Sequence, residues 1–69
     1  MNKQEKLSRI ATYLVDKDVS ITDSSGWLQA DNEKVLGYRG VSDGEMILDF
    51  ATGWVRYVVG QGQHIVIHK

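Results

Sequence analysis

The chain has 69 residues, no cysteine, no proline and a formal net charge of −1. This length implies a single domain over residues 1–69, one that buries only about 60% of its unfolded surface and is thinly stable. The missing cysteines exclude disulfides and thiolate metal sites, and the near-neutral balance gives no strong pull toward nucleic acid or an anionic membrane surface.

Charge is spread unevenly. Residues 1–17 hold four basic and two acidic side chains. Residues 18–49 hold seven acids against Lys34 and Arg39, and Arg56 and Lys69 are the only charges beyond. The segment MNKQEKLSRI is charged, then amphipathic, with no apolar signal-peptide core. No run approaches the length of a membrane span. The expected setting is the cytoplasm, without a membrane partner.

The N-terminus predicts an α-helix from about Lys3 to Asp16. Asn2 is a good N-cap, and Glu5 stands three residues later. Leu7, Ile10, Ala11, Leu14 and Val15 then form one apolar stripe. Tyr13 falls off that stripe beside Lys6 and Lys17 and reads as a ring lying over the helix flank.

Val19 to Thr22 reads as a short strand, and Asp23-Ser24-Ser25-Gly26 as a turn. Trp27 to Ala30 and Val35 to Val41 read as a hairpin around Asp31-Asn32-Glu33-Lys34. Pairing Ala30 with Val35 sets Trp27 opposite Tyr38. Gly37 and Gly40 permit a bulge or a sharp bend, which would let the sheet curl into a partly closed barrel.

Met46 to Phe50, Trp54 to Val59 and His64 to His68 are three β-prone runs. They are expected to form an antiparallel meander. A three-residue loop at 51–53 sets Phe50 opposite Trp54, Leu48 opposite Arg56 and Met46 opposite Val58. A similar loop at 42–44 adds Tyr38 and Leu36 to that face. The other face then carries Ile47, Asp49, Val55, Tyr57 and Val59. An odd-length last loop sets Val59 opposite Ile65 and Tyr57 opposite Ile67. A rival reading exists for 43–52, because Ser42-Asp43-Gly44-Glu45 is also a helix capping box. The two differ at Gly44: a hairpin needs its positive φ, a helix does not.

The fold expected is α+β: one N-terminal helix on a twisted antiparallel sheet of four to five strands. Both faces of that sheet are mainly apolar, and one helix covers only one. The uncovered face is the lead to function.

Catalytic signals are weak. His64 and His68 lie about 13 Å apart at strand rise, too far to share a metal. The serines have no triad context, and Gly60-Gln61-Gly62 does not open a helix as a phosphate loop does. No catalytic residue, cofactor or metal is expected, and the chain is not read as an enzyme. Nucleic-acid binding through sheet-face aromatics and Arg39 and Arg56 is the second reading, opposed by a pI near 6.0. Protein binding fits better, as an inhibitor, adaptor or regulator, with homodimerisation allowed. Interfaces favour Trp, Tyr and Arg, which singles out Trp54, Arg56 and Tyr57, with Val58 next to them on the same strand. Val66 and His68 join them if the terminal strand is an open edge.

Overall fold

A computed structural model describes residues 2–69. It is α+β, with one helix followed by six strands: α1 (Lys3–Leu14), β1 (Asp18–Thr22), β2 (Leu28–Lys34), β3 (Gly37–Ser42), β4 (Glu45–Phe50), β5 (Gly53–Val58) and β6 (His64–His68). The strands form two antiparallel three-stranded sheets, in the orders β2-β1-β6 and β3-β4-β5. The expected single sheet of four to five strands is thus replaced by two sheets, and neither closes into a barrel.

The helix begins as its sequence dictates. Asn2 Oδ1 accepts the Glu5 N–H at 2.8 Å, satisfying one of the orphan donors of the first turn. Leu7, Ala11 and Leu14 are buried; Ile10 lies at the rim and is 45% exposed. Tyr13 is exposed, with Lys17 Nζ 4.9 Å from its ring centroid, so it lies on the flank as expected. The helix stops at Leu14, two residues short of the expected end. Val15 leaves the helical region, and Asp16 takes φ 68. The chain is then tied to the β2–β3 junction. Asp16 N–H donates to Val35 O at 2.8 Å, and Val35 N–H donates to Lys17 O at 3.0 Å.

β1 follows, and Asp23 makes the next turn. Its Oδ1 accepts the N–H groups of Ser25 and Trp27, at 2.9 and 3.0 Å. The expected hairpin around residues 31–34 is absent. β2 runs straight through Asp31 to Lys34 and pairs with β1, Val19 against Glu33 and Ile21 against Ala30. Two register shifts and Asn32 at φ 50 absorb the polar run as bulges instead of a turn. Trp27 therefore never meets Tyr38 and stands 75% exposed beside the turn.

Residues 43–52 are not a helix. Asp43-Gly44 is a two-residue turn between β3 and β4, with Gly44 at φ 103. The bend at Gly40 (φ 62) adds the missing residue back, so Tyr38 still faces Leu48. At the next turn no bulge compensates. Ala51-Thr52 is also a two-residue loop, and Phe50 pairs with Gly53. Leu48 therefore faces Val55 and not Arg56, and Met46 faces Tyr57 and not Val58. A one-residue slip exchanges the two faces of a strand. The observed register buries Val55 and leaves the Arg56 guanidinium in solvent, where its charge costs no desolvation.

The last strand departs from the meander. β6 pairs with β1 over five consecutive residues, from Asp18 against His68 to Thr22 against His64. Val59 and Tyr57 thus do not face Ile65 and Ile67. The cause lies at the loop. Gly60 and Gly62 take φ 85 and 77 and turn the chain away from β5. Gln63 then fills the vacated edge. Its Oε1 accepts the Val58 N–H at 2.8 Å, and its Nε2 donates to Arg56 O at 3.0 Å. One side-chain amide thus stands in for a neighbouring strand.

One core joins the layers: Leu7, Ala11 and Leu14 from the helix, Val19, Ile21 and Ala30 from one sheet, Met46, Leu48, Phe50 and Val55 from the other, and Val35 at the junction. Thr52 Oγ1 donates to Glu33 Oε1 at 2.6 Å, pinning the β4–β5 turn to β2. No helix among the described residues is long and apolar enough to cross a membrane.

Candidate protein-binding face

The outward side of β3-β4-β5 is built from the residues that alternate with the core. In β4, Met46, Leu48 and Phe50 point inward and Glu45, Ile47 and Asp49 outward. Cross-strand pairing then sets Trp54 beside Asp49, Arg56 beside Ile47 and Val58 beside Glu45 on one flank. On the other, Gly37 lies beside Asp49 and Arg39 beside Ile47. Ile47 is therefore the centre of the face, with an arginine on each side. Gly40 lies close to it: a Cβ there would come within 3.6 Å of Ile47 Cδ1.

Four charges decorate this face, more than the mainly apolar surface expected. They pair diagonally. Arg39 Nε lies 3.1 Å from Asp49 Oδ1, and Arg56 Nε lies 3.0 Å from Glu45 Oε2. Both pairs are largely solvent-exposed, so each adds little to stability. Their consequence is neutrality: neither arginine is left over as a free cation. Trp54 stands at the end of the face and is 59% exposed. Gly37, on the far side of Asp49, adds no side chain at that end of the face.

The six residues singled out from sequence do not share one surface. Trp54, Arg56 and Val58 lie together on this outward face. Tyr57 points the other way and lines a groove with Leu7, Ile10 and Val59, edged by Lys3 and Lys6. Val66 and His68 lie on the outward side of the second sheet, across β1 from β2. There His68 Nε2 meets Ser20 Oγ at 2.7 Å, and Ser20 Oγ also accepts the Asn32 N–H at 2.9 Å. His68 is thereby tied to the sheet's own framework, whereas Val66 is 55% exposed.

Sequence reasoning missed Ile47 as a member of the face and Gln63 as the plug of the β5 edge, and it named Arg39 only for the nucleic-acid reading. Ile47 was visible in the strict alternation of Glu45 to Phe50, once the loop at 51–52 is given two residues, and Arg39 joins it by pairing from β3. No sequence signal marks Gln63, because its partners are backbone groups of another strand.

Comparison with protein-family models, with curated proteins and with solved structures finds no match.

Proposed function

We propose that the chain is a small non-catalytic protein-binding domain of the cytoplasm, acting as an inhibitor, adaptor or regulator through the outward face of β3-β4-β5. The observation that carries this reading is Trp54, a large apolar side chain held 59% exposed on β5 beside Asp49, on the same face as Ile47, Arg56 and Val58. Keeping so much indole in water has a free-energy cost that burial against a partner removes. Trp and Arg set on ordered strands are the composition of an interface hot spot. The salt-bridged acids hold both guanidinium groups in place before a partner arrives.

The same pairing weakens the nucleic-acid alternative. Backbone phosphates draw on unpaired cations, and Arg39 and Arg56 already have carboxylate partners. The test is affinity capture from native lysate with three baits: the parent chain, Trp54→Ala and Leu28→Ala. Leu28 is similarly exposed but lies on the other sheet. A protein retained by the parent and by Leu28→Ala but reduced at least tenfold on Trp54→Ala supports the reading. Equal retention on all three overturns it, and salt-sensitive recovery of nucleic acid favours the alternative.

A further inference from the structure

Each three-stranded sheet has two outer strands, and three of the four are defended. β2 has two register shifts, a left-handed Asn32, and Asp31, Glu33 and Lys34 along its length. β3 is bulged at Gly40 and overlaid by α1, whose Gln4 Nε2 reaches Val41 O at 3.4 Å and whose Thr12 hydroxyl meets the Tyr38 hydroxyl at 3.0 Å. β5 has two of its outer backbone groups, the Val58 N–H and the Arg56 C=O, bonded by Gln63. These are the usual ways in which a sheet avoids edge-to-edge association.

β6 has none of them. It pairs with β1 in unbroken register, so it is neither bulged nor interrupted. It contains no Asp, Glu, Lys, Arg or Pro. Among the described residues, its backbone N–H and C=O groups that point away from β1 have no partner. Val66 and Ile67 are 55% and 38% exposed on its two sides.

The strand's sequence also says what fits it. His64-Ile65-Val66-Ile67-His68 reads the same in both directions. Laid antiparallel against itself about Val66, it sets Val66 against Val66, Ile65 against Ile67 and His64 against His68. Every position meets its own kind, which is the self-complementarity that a two-fold interface requires. Ile67, on the core side with its pairing partner Val19, gains cover from the second copy's Ile65. No other outer strand of the molecule has this symmetry.

We infer that β6 pairs antiparallel with β6 of a second copy about a two-fold axis at Val66, joining the two β2-β1-β6 sheets into one continuous six-stranded sheet. This dimer is independent of the Trp54 face, which lies on the other sheet of each copy.

A single introduced thiol tests the axis, because the chain has no cysteine. Residues directly opposite in an antiparallel pair have Cα atoms about 4.5–5.5 Å apart, within reach of a disulfide. Val66→Cys should form a covalent dimer under mild oxidation at least tenfold faster than Leu28→Cys, whose thiol sits on β2 at similar exposure. Light scattering should show the parent as a dimer, and Val66→Lys, which sets two ammonium groups against each other, should shift it to monomer. Circular dichroism of Val66→Lys checks that the fold survives, and Trp54→Ala should remain dimeric. A parent that stays monomeric at millimolar concentration overturns the inference. So do open-ended oligomers, or Val66→Cys cross-linking no faster than Leu28→Cys.

Discussion

β5 and β6 are both outer strands, separated by a short glycine-containing loop, and both are mainly apolar. Their edges are finished in opposite ways. The β5 edge is bonded by the Gln63 amide, which also donates to Gln29 Oε1 of β2 at 2.7 Å, so one side chain links both sheets. The β6 edge is straight and bare. The difference teaches that an edge strand is judged by what meets its backbone as well as by its side chains, of which β5 carries one charge, Arg56, and β6 no Asp, Glu, Lys or Arg. It also explains the topology: once Gln63 holds β5, β6 must find its hydrogen bonds elsewhere, and β1 offers them.

The largest expected effect contrasts the middle of one sheet with the edge of the other. Leu48 of β4 is fully buried, and Leu48→Ala should cost about 2–5 kcal/mol by lost burial and cavity formation. Ile67 of β6 keeps 38% exposure, so Ile67→Ala should cost less than half as much. Urea denaturation in a Val66→Lys background gives both values without association entering. Equal losses would mean that β6 is as deeply built into the core as β4, contrary to its place at the edge.

Gln63→Ala comes next. It removes the acceptor of the Val58 N–H and the donor to Arg56 O. Leaving a part-buried backbone donor unsatisfied costs about 1–3 kcal/mol. Hydrogen exchange at Val58 should quicken before global unfolding, while Leu48 stays protected. If Val58 exchange is unchanged, the amide is not the partner that closes this edge.

Local pairings were the legible part of the fold. The N-cap at Asn2, the Asp23 turn and the strand identity of residues 46–50 all follow from neighbours a few positions apart. What failed was set at longer range or by single-residue choices. Asn32 takes a left-handed bulge where a turn was expected, since β1 offers β2 a continuous partner. The choice between two and three loop residues at 51–53 turned on whether Val55 or Arg56 goes inward, and loop composition alone does not record that. Part of the site was legible for the same reason. Trp54, Arg56 and Val58 alternate on one strand and share a face in any register, whereas Tyr57 was grouped with them by adjacency and alternation sends it to the other side. Ile47 and Arg39 became members only once the register was known.

The smallest expected effect concerns the ion pairs that separate the Trp54 face from an apolar one. A double-mutant cycle of Arg56→Ala and Glu45→Ala should return a coupling of about 0.2–1 kcal/mol, since both side chains are more than a third exposed. The coupling should shrink in molar salt, where the screening length falls to about 3 Å. So small a value leaves the pair with an organising role more than a stabilising one: it turns the Arg56 guanidinium toward Glu45 and cancels its charge. Converting Glu45 and Asp49 to their amides would release both arginines without changing the shape of the face. Oligonucleotide binding that is absent from the parent and arises in that double amide variant would show that the carboxylates keep the surface neutral. Binding of equal strength in both would place the nucleic-acid contacts elsewhere, away from Arg39 and Arg56.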